Sequence, residues 1–454
     1  MEVTKILAQF VVDSRYADIP DKVRHEATRS VLNWLGCAVG GARHESIDIA
    51  LAALAAFSGP AQASVLGRGE RLDIMHAALI NGISSHVFDF DDTHLKTVIH
   101  PSGPVASALL ALAEHRPISG ADFLHAFILG VEVECRIGNA VYPSHYDVGW
   151  HITGTAGVFG AAAAVGRVLG LNPQQMTWAL GIAATQAAGL REMFGTMCKP
   201  FHPGRAAQNG MTAAFLASKN FTSSERGIEA PRGFANVLAT ARNYDAITEG
   251  LGKTWEVALN TYKPFACGIV IHPIIDGCVQ LRNEHKLAAD PIESITLGVH
   301  PLVLELTGKK TPQVGLEGKF SVFHSAAVAI IHGEGGEKVY SDACVRDPRV
   351  IALREKVSAA VDKTVHEDAA HIAIKLKDGR TLKKHVEHAL GSLSRPMSDA
   401  DLEAKFRGLA QGMLSAAETD ALIKLCWVVE TLQSAGDIAR AAVPAGATKK
   451  AQAS

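Results

Sequence analysis

From residue 1 to about residue 260 the chain reads as helix after helix, with few segments that alternate as strands do. "IPDKVRHEATRSVLNWLGCAVGG" sets Val23, Ala27, Val31, Leu32 and Leu35 behind an Asp21 cap and ends in glycines. "LNPQQMTWALGIAATQAAGL" supplies an Asn172 cap, Pro173 at the first helical position and Gln175 to complete a capping box. Ser119 caps "ISGADFLHAFILGVEVE" in the same manner, with Asp122 three residues on. The Ala/Gly richness of 154–190 implies helices packed with their backbones close together.

The texture changes beyond residue 260. "IESITLGVHPLVLEL" reads as a strand with a proline break, and "DPRVIALREKVSAAV" as a helix capped by Asp347 with Pro348 next. "HIAIKLKDGRTLKKHV" alternates Ile372, Ile374 and Leu376 across Asp378-Gly379 into Leu382, the signature of a type I′ hairpin. Helix returns at Ser398 and at "ETDALIKLCWVVETLQ". The expected fold is mainly α: a discontinuous helical domain of 1–260 with 396–443, an α+β domain of 261–395, and a disordered tail of 444–454. A cleft between two such domains suits a small ligand.

A chain of 454 residues with a net charge of −2 offers no electrostatic attraction to nucleic acid or to an anionic membrane. Seven widely spaced cysteines, without a C-x-x-C pair, form no disulfide framework and fit a reducing cytosol. The charged N-terminus is unlike a signal peptide, and the apolar run ending at Arg167 reads as too short to span a bilayer. A cytoplasmic protein is expected.

Chemistry concentrates at "DFDDTHLKTVIHPSG", Asp89 to Gly103. An EF-hand loop would need Gly and Glu where His94 and His100 stand, and D-D-x-x-D would need a carboxylate where Leu95 stands. Zinc through His94, His100 and an aspartate stays open, as does capping by Asp91, Asp92 or Thr93. The turn Pro101–Gly103 opens a helix whose free N–H groups favour an anion, so His100 stands where general acid–base chemistry can act. "MCKPFHPG" and "TYKPFACG" echo one another and put Lys199 and Lys263 before prolines, as two surface lysines, as two carboxylate holders, or with one of them a desolvated base. His151 precedes a Gly/Ala-rich helix and alone reads as structural; His324 precedes an apolar helix and alone is uninformative. Walker A, G-x-G-x-x-G after a strand and G-x-S-x-G are all missing from the sequence.

Together "DFDDTHLKTVIHPSG", "GWHITGTAG", "LGIAATQAAGL", "KPFHPGRAAQNG", "YKPFACGIVIHP" and "GKFSVFHSAA" resemble the MmgE/PrpD family, in family order along nearly the whole chain. That family includes 2-methylcitrate dehydratases, cis-aconitate decarboxylases and iminodisuccinate epimerases. The resemblance implies a helical domain with an α+β lid, a homodimer, no metal or organic cofactor, and a small di- or tricarboxylate substrate. It implies an active site of Asp89, Thr93, His100, His151, Lys199 and Lys263. His324 falls where decarboxylases of the family carry a tyrosine, and the short loop looks more like the epimerase branch.

The expectation is therefore α-proton abstraction, first by an epimerase, then a dehydratase, then a decarboxylase, with a non-catalytic polycarboxylate binder as the remaining class. Lys199 and Lys263 would offset carbanion charge, with Thr93, Lys199 and Lys263 also holding substrate. Asp89 would fix the tautomer of His100, and His151 with His324 would serve the opposite face.

Overall fold

A computed structural model describes residues 1–447. Its first part is built on helices α1 (Asp21–Gly41), α2 (Ile74–His86), α3 (Ser102–His115), α4 (Gly120–Val141), α5 (Ile152–Leu169) and α6 (Cys198–Ser218). Ser119 accepts from the Asp122 N–H, and Asn172 and Gln175 form both bonds of a capping box. Asp21 is not a cap: Pro20 holds that position, and Asp21 pairs with Arg24 from inside the first turn.

Helix α5 is long and apolar enough to cross a membrane by length and composition, which the sequence reading missed; 83% of it is buried against the other helices. Its small residues allow close packing. A Cβ added at Gly160 would lie 2.9 Å from the Gly130 carbonyl oxygen of α4, and one at Gly210 of α6 would meet Ala161 at 2.5 Å. The tightest contact for the site is between α2 and α6: a Cβ at Gly82 would stand 2.4 Å from the Gly204 Cα. That contact lies one turn from His86 on α2 and just over one turn from Lys199 on α6.

A second hydrophobic core surrounds helix α7 (His272–His285) and a four-stranded sheet. The strands are β1 (Ile292–Val299), β2 (Val357–Val361), β3 (Ala370–Leu376) and β4 (Thr381–Val386), in the order β2-β1-β3-β4. β1 runs parallel to β2 and antiparallel to β3. Ile372 and Ile374 face inward as their alternation requires, against Ile295 and Leu297 of β1 and the α7 side chains.

Three sequence expectations change here. Proline at 301 does not continue a strand but starts a helix, Pro301–Thr307, capped by His300. The helix after Asp347 ends at Arg354, and Val357–Val361 joins the sheet. Gly379 has φ +91° while Asp378 stays out of the left-handed region, so the turn is not type I′, which needs both central residues there.

The chain then returns to the first core through α8 (Asp399–Ala410), whose Ser398 cap forms a capping box with Asp401. Residues 444–447, expected to belong to a disordered tail, are tied down: the Ala445 N–H donates to Glu418 at 2.8 Å. The rest of that tail, 448–454, lies outside the described residues.

Candidate active site

Three pieces of local structure assemble the site. The loop between α2 and α3 carries Asp89 to Pro101, and two of its residues, Asp89 and Val98, sit at positive φ (+50° and +51°). For β-branched Val98 this is a strained conformation, of the kind that clusters at functional sites. Thr93 and His94 pair antiparallel with Thr261 and Asn260, which brings Lys263, two residues further on, beside Asp89. The Gly82–Gly204 contact brings Lys199 to the same carboxylate from the other side.

Asp89 Oδ1 accepts from Lys199 Nζ and from Lys263 Nζ, each at 2.9 Å. Lys263 spends its remaining protons on the backbone oxygens of Asp89 (3.0 Å) and Cys267 (3.1 Å). Lys199 donates a second proton to His86 Nε2 at 2.9 Å, and its ammonium lies over the rings of Phe194 and Phe320. Its third proton has no acceptor among the described residues. Burial alone would raise the Asp89 pKa, but the two ammoniums hold it well below the usual carboxylate range. Burial lowers the pKa of Lys199.

His100 lines the same cavity. Its Nδ1–H donates to the Asp92 carbonyl oxygen at 2.8 Å, leaving a lone pair on Nε2, 3.8 Å from Asp89 Oδ1. The tautomer is thus fixed by a backbone carbonyl and not by Asp89, as the sequence suggested. His151 stands at the N-terminus of α5 with Nδ1 2.8 Å from His202 Nδ1. Burial pushes both imidazoles well below their ordinary value, helped by the charge of Lys199 at His151 and by Lys263 at His100, where Asp91 opposes it, so both are neutral at pH 7.

Asp89, Thr93, His100, His151, Lys199 and Lys263 line one small pocket of about 40 Å³, together with Tyr146, Phe194 and Phe320. A larger pocket of about 420 Å³ adjoins it, sharing the walls Val98, Ile269 and Val270. His324 does not reach either: its Nε2–H donates to the Val339 carbonyl oxygen at 2.9 Å and its ring packs on Tyr340, inside the second core. His94 is structural as well, held by Thr97 and by Glu256 Oε2 at 2.9 Å, so it cannot form a zinc pair with His100.

Sequence reasoning missed His86, Asp91, His202 and Lys405. Lys405 of α8 donates to the backbone oxygens of Phe90 (2.5 Å) and Lys263 (2.9 Å), fastening the two segments to each other. Its only sequence signal was a lysine on the apolar side of a helix. His86, Asp89, Asp91 and His100 have donor atoms close enough to hold a cation. Asp89 already carries two ammoniums there, and His86 Nε2 accepts from one of them, so a metal would have to displace both. The donor set fits an ammonium-paired acid–base site better than a metal centre. Chemically, it can bind a carboxylate at Lys199 and exchange a proton at His100 Nε2.

The MmgE/PrpD N-terminal domain model matches residues 5–247, and the MmgE/PrpD C-terminal domain model matches 265–428. The chain is 29% identical to cis-aconitate decarboxylase of Homo sapiens, over 95% of this chain and 92% of that protein. It is 28% identical to cis-aconitate decarboxylase of Aspergillus terreus over 90% and 89% of the two chains. Against the mitochondrial 2-methylcitrate dehydratase of Yarrowia lipolytica it is 24% identical over 87% and 81%.

Proposed function

Since this chain belongs to the MmgE/PrpD family, we propose that it is a lyase of a small tricarboxylate, with decarboxylation of cis-aconitate as its first reaction. One observation carries the reading: Lys199, with one proton to spare, and His100, with a free Nε2 lone pair, line the same small pocket. In decarboxylation the C–C bond breaks, its electron pair stays on the skeleton next to a remaining carboxylate, CO₂ leaves, and one proton is taken up. An ammonium stabilises that charge strongly where water is excluded, and the lowered pKa of Lys199 makes it a better proton donor.

The pocket of about 40 Å³ is small for a tricarboxylate, and the larger pocket that shares the walls Val98, Ile269 and Val270 offers further room beside it. Nothing in this reading requires a cofactor.

A second reading, dehydration of a 2-methylcitrate-like hydroxy acid, is supported by His100, whose unprotonated Nε2 is suited to removing a proton. The epimerase suggested by the short loop ranks behind both. It needs groups on opposite faces of the reacting carbon, and His324, expected to help supply one, is turned into the second core. The same placement weakens the case against a decarboxylase that the identity of His324 had raised.

Proton NMR in D₂O with cis-aconitate, 2-methylcitrate and iminodisuccinate tests the order. Loss of CO₂ with one deuterium in a five-carbon unsaturated diacid is expected. Water loss from 2-methylcitrate alone would favour the second reading, and α-deuteration of an intact skeleton would restore the epimerase.

A further inference from the structure

Lys199 and Lys263 share Asp89, yet they are not equivalent. Lys263 has three acceptors, all from the chain, and is fully satisfied. Lys199 has two, and the second is a histidine nitrogen that can accept only in one tautomer. That tautomer is dictated from behind. His86 Nδ1 lies 2.8 and 2.9 Å from the two oxygens of Asp91, which as a carboxylate accepts the Nδ1–H and leaves Nε2 bare for the lysine. Neither His86 nor Asp91 lines the catalytic cavity, and both are buried.

We propose that Asp91 and His86 are positioning residues that fix Lys199 as an ammonium with a single proton left to face the substrate. The inference rests on the role given to Lys199 above. Held by Asp89 on one side and His86 on another, the tetrahedral ammonium has the direction of its one remaining N–H fixed. Phe194 and Phe320 cover it without competing as acceptors. The groups facing His86 are Asp91, Lys199 and Asp89, with the His100 ring edge-on at 4.6 Å and the His151 ring at 5.9 Å. Asp91 also stands 3.5 Å from His100 Nδ1, whose proton goes to the Asp92 carbonyl. A test must therefore separate the His86 route from the His100 route.

The Asp91→Asn change keeps size but can turn a donor toward His86 Nδ1, forcing the proton onto Nε2, where it opposes the Lys199 N–H. Such a wrong tautomer, with geometry otherwise intact, is expected to lower kcat/KM about 10²-fold. In a His86→Gln background the same Asp91→Asn change is expected to add less than about twofold, since the coupled residue is gone. An equal loss in both backgrounds would overturn the proposal and give Asp91's effect to His100.

A second measurement needs no substrate. In the full-length protein with ¹⁵N-labelled histidine, the resonances lost in His86→Gln identify His86. They should report the Nδ1–H tautomer, with an Nε2 shift that moves in Lys199→Met. An Nε2–H tautomer, or an Nε2 shift indifferent to Lys199→Met, would sink the pairing. Should the wild type turn over none of the acids, the lyase reading falls, while the NMR result still decides the pairing.

Discussion

Asp89 and Asp92 stand three residues apart on one loop, both buried, and the chain treats them oppositely. Asp89 faces the cavity with two ammoniums on one oxygen. Among the described residues Asp92 has no cation: Oδ2 accepts from Ser102 Oγ and Asn260 Nδ2, both at 2.5 Å, and Oδ1 finds no partner there. Burial, with the nearby charge of Asp91, pushes Asp92 up to about 7, whereas the lysines drive Asp89 far down. Sequence proximity alone thus assigns no role to an acid; the cations that the fold brings to it do. His100 joins the two sides, its Nδ1 on the Asp92 carbonyl and its Nε2 near Asp89.

Breaking that joint should have the largest effect. His100→Ala removes the imidazole lone pair that stands 3.8 Å from Asp89 Oδ1, and turnover should fall roughly 10²–10⁴-fold. A rate near that of the wild type would take His100 out of the chemistry. Asp89→Asn comes next, because it strips the charge from the shared acceptor of two buried ammoniums. A stability loss of about 3–5 kcal/mol is expected in denaturant unfolding, together with lost turnover. An unfolding midpoint equal to that of the wild type would mean that the two lysines do not depend on Asp89.

Much of this contrast was legible in the sequence and some was not, for a physical reason. Helix caps and strand alternation act over a few residues, so Ser119, Asn172, Ser398 and the Ile372–Leu376 alternation were readable one segment at a time. Six site residues could be carried over because their motifs resemble a family. His86 and Asp91 become functional only through a helix crossing at Gly82 and Gly204, a contact between positions more than a hundred residues apart that no local pattern encodes. His324 failed in the reverse sense: its motif matched, but the ring turns away from the cavity to the Val339 carbonyl.

The opposite shifts of the two aspartates give opposite slopes with pH. Asp92 binds its proton more tightly folded than unfolded, so its contribution to stability declines as pH rises from about 4 through about 7. Asp89 binds its proton less tightly when folded, so its contribution is complete above about pH 4 and is lost as pH falls below that. Asp92→Asn removes only the first term. The variant should be about 1–3 kcal/mol more stable than the wild type at pH 8, with the advantage vanishing near pH 4. Thermal melts across that range check it, and a pH-independent difference would contradict the assignment.

The smallest effect tests whether the boundary of the site has been drawn correctly. If activity depends on groups that share the cavity with Asp89, a residue whose imidazole is spent on Val339 should be replaceable, even though its motif belongs to the family. His324→Gln keeps an N–H for the Val339 carbonyl and removes any acid–base capacity. Its kcat/KM should stay within about twofold of the wild type, a change below ~0.5 kcal/mol in barrier. The Ser321 cap that accepts the residue-324 N–H is backbone-directed and should survive the change. Burial already pushes His324 down to about 4, so the wild-type ring is neutral at pH 7 and no charge is lost. A hundredfold fall in activity with an unchanged melting temperature would place His324 back in the site and require the second core to rearrange when substrate binds.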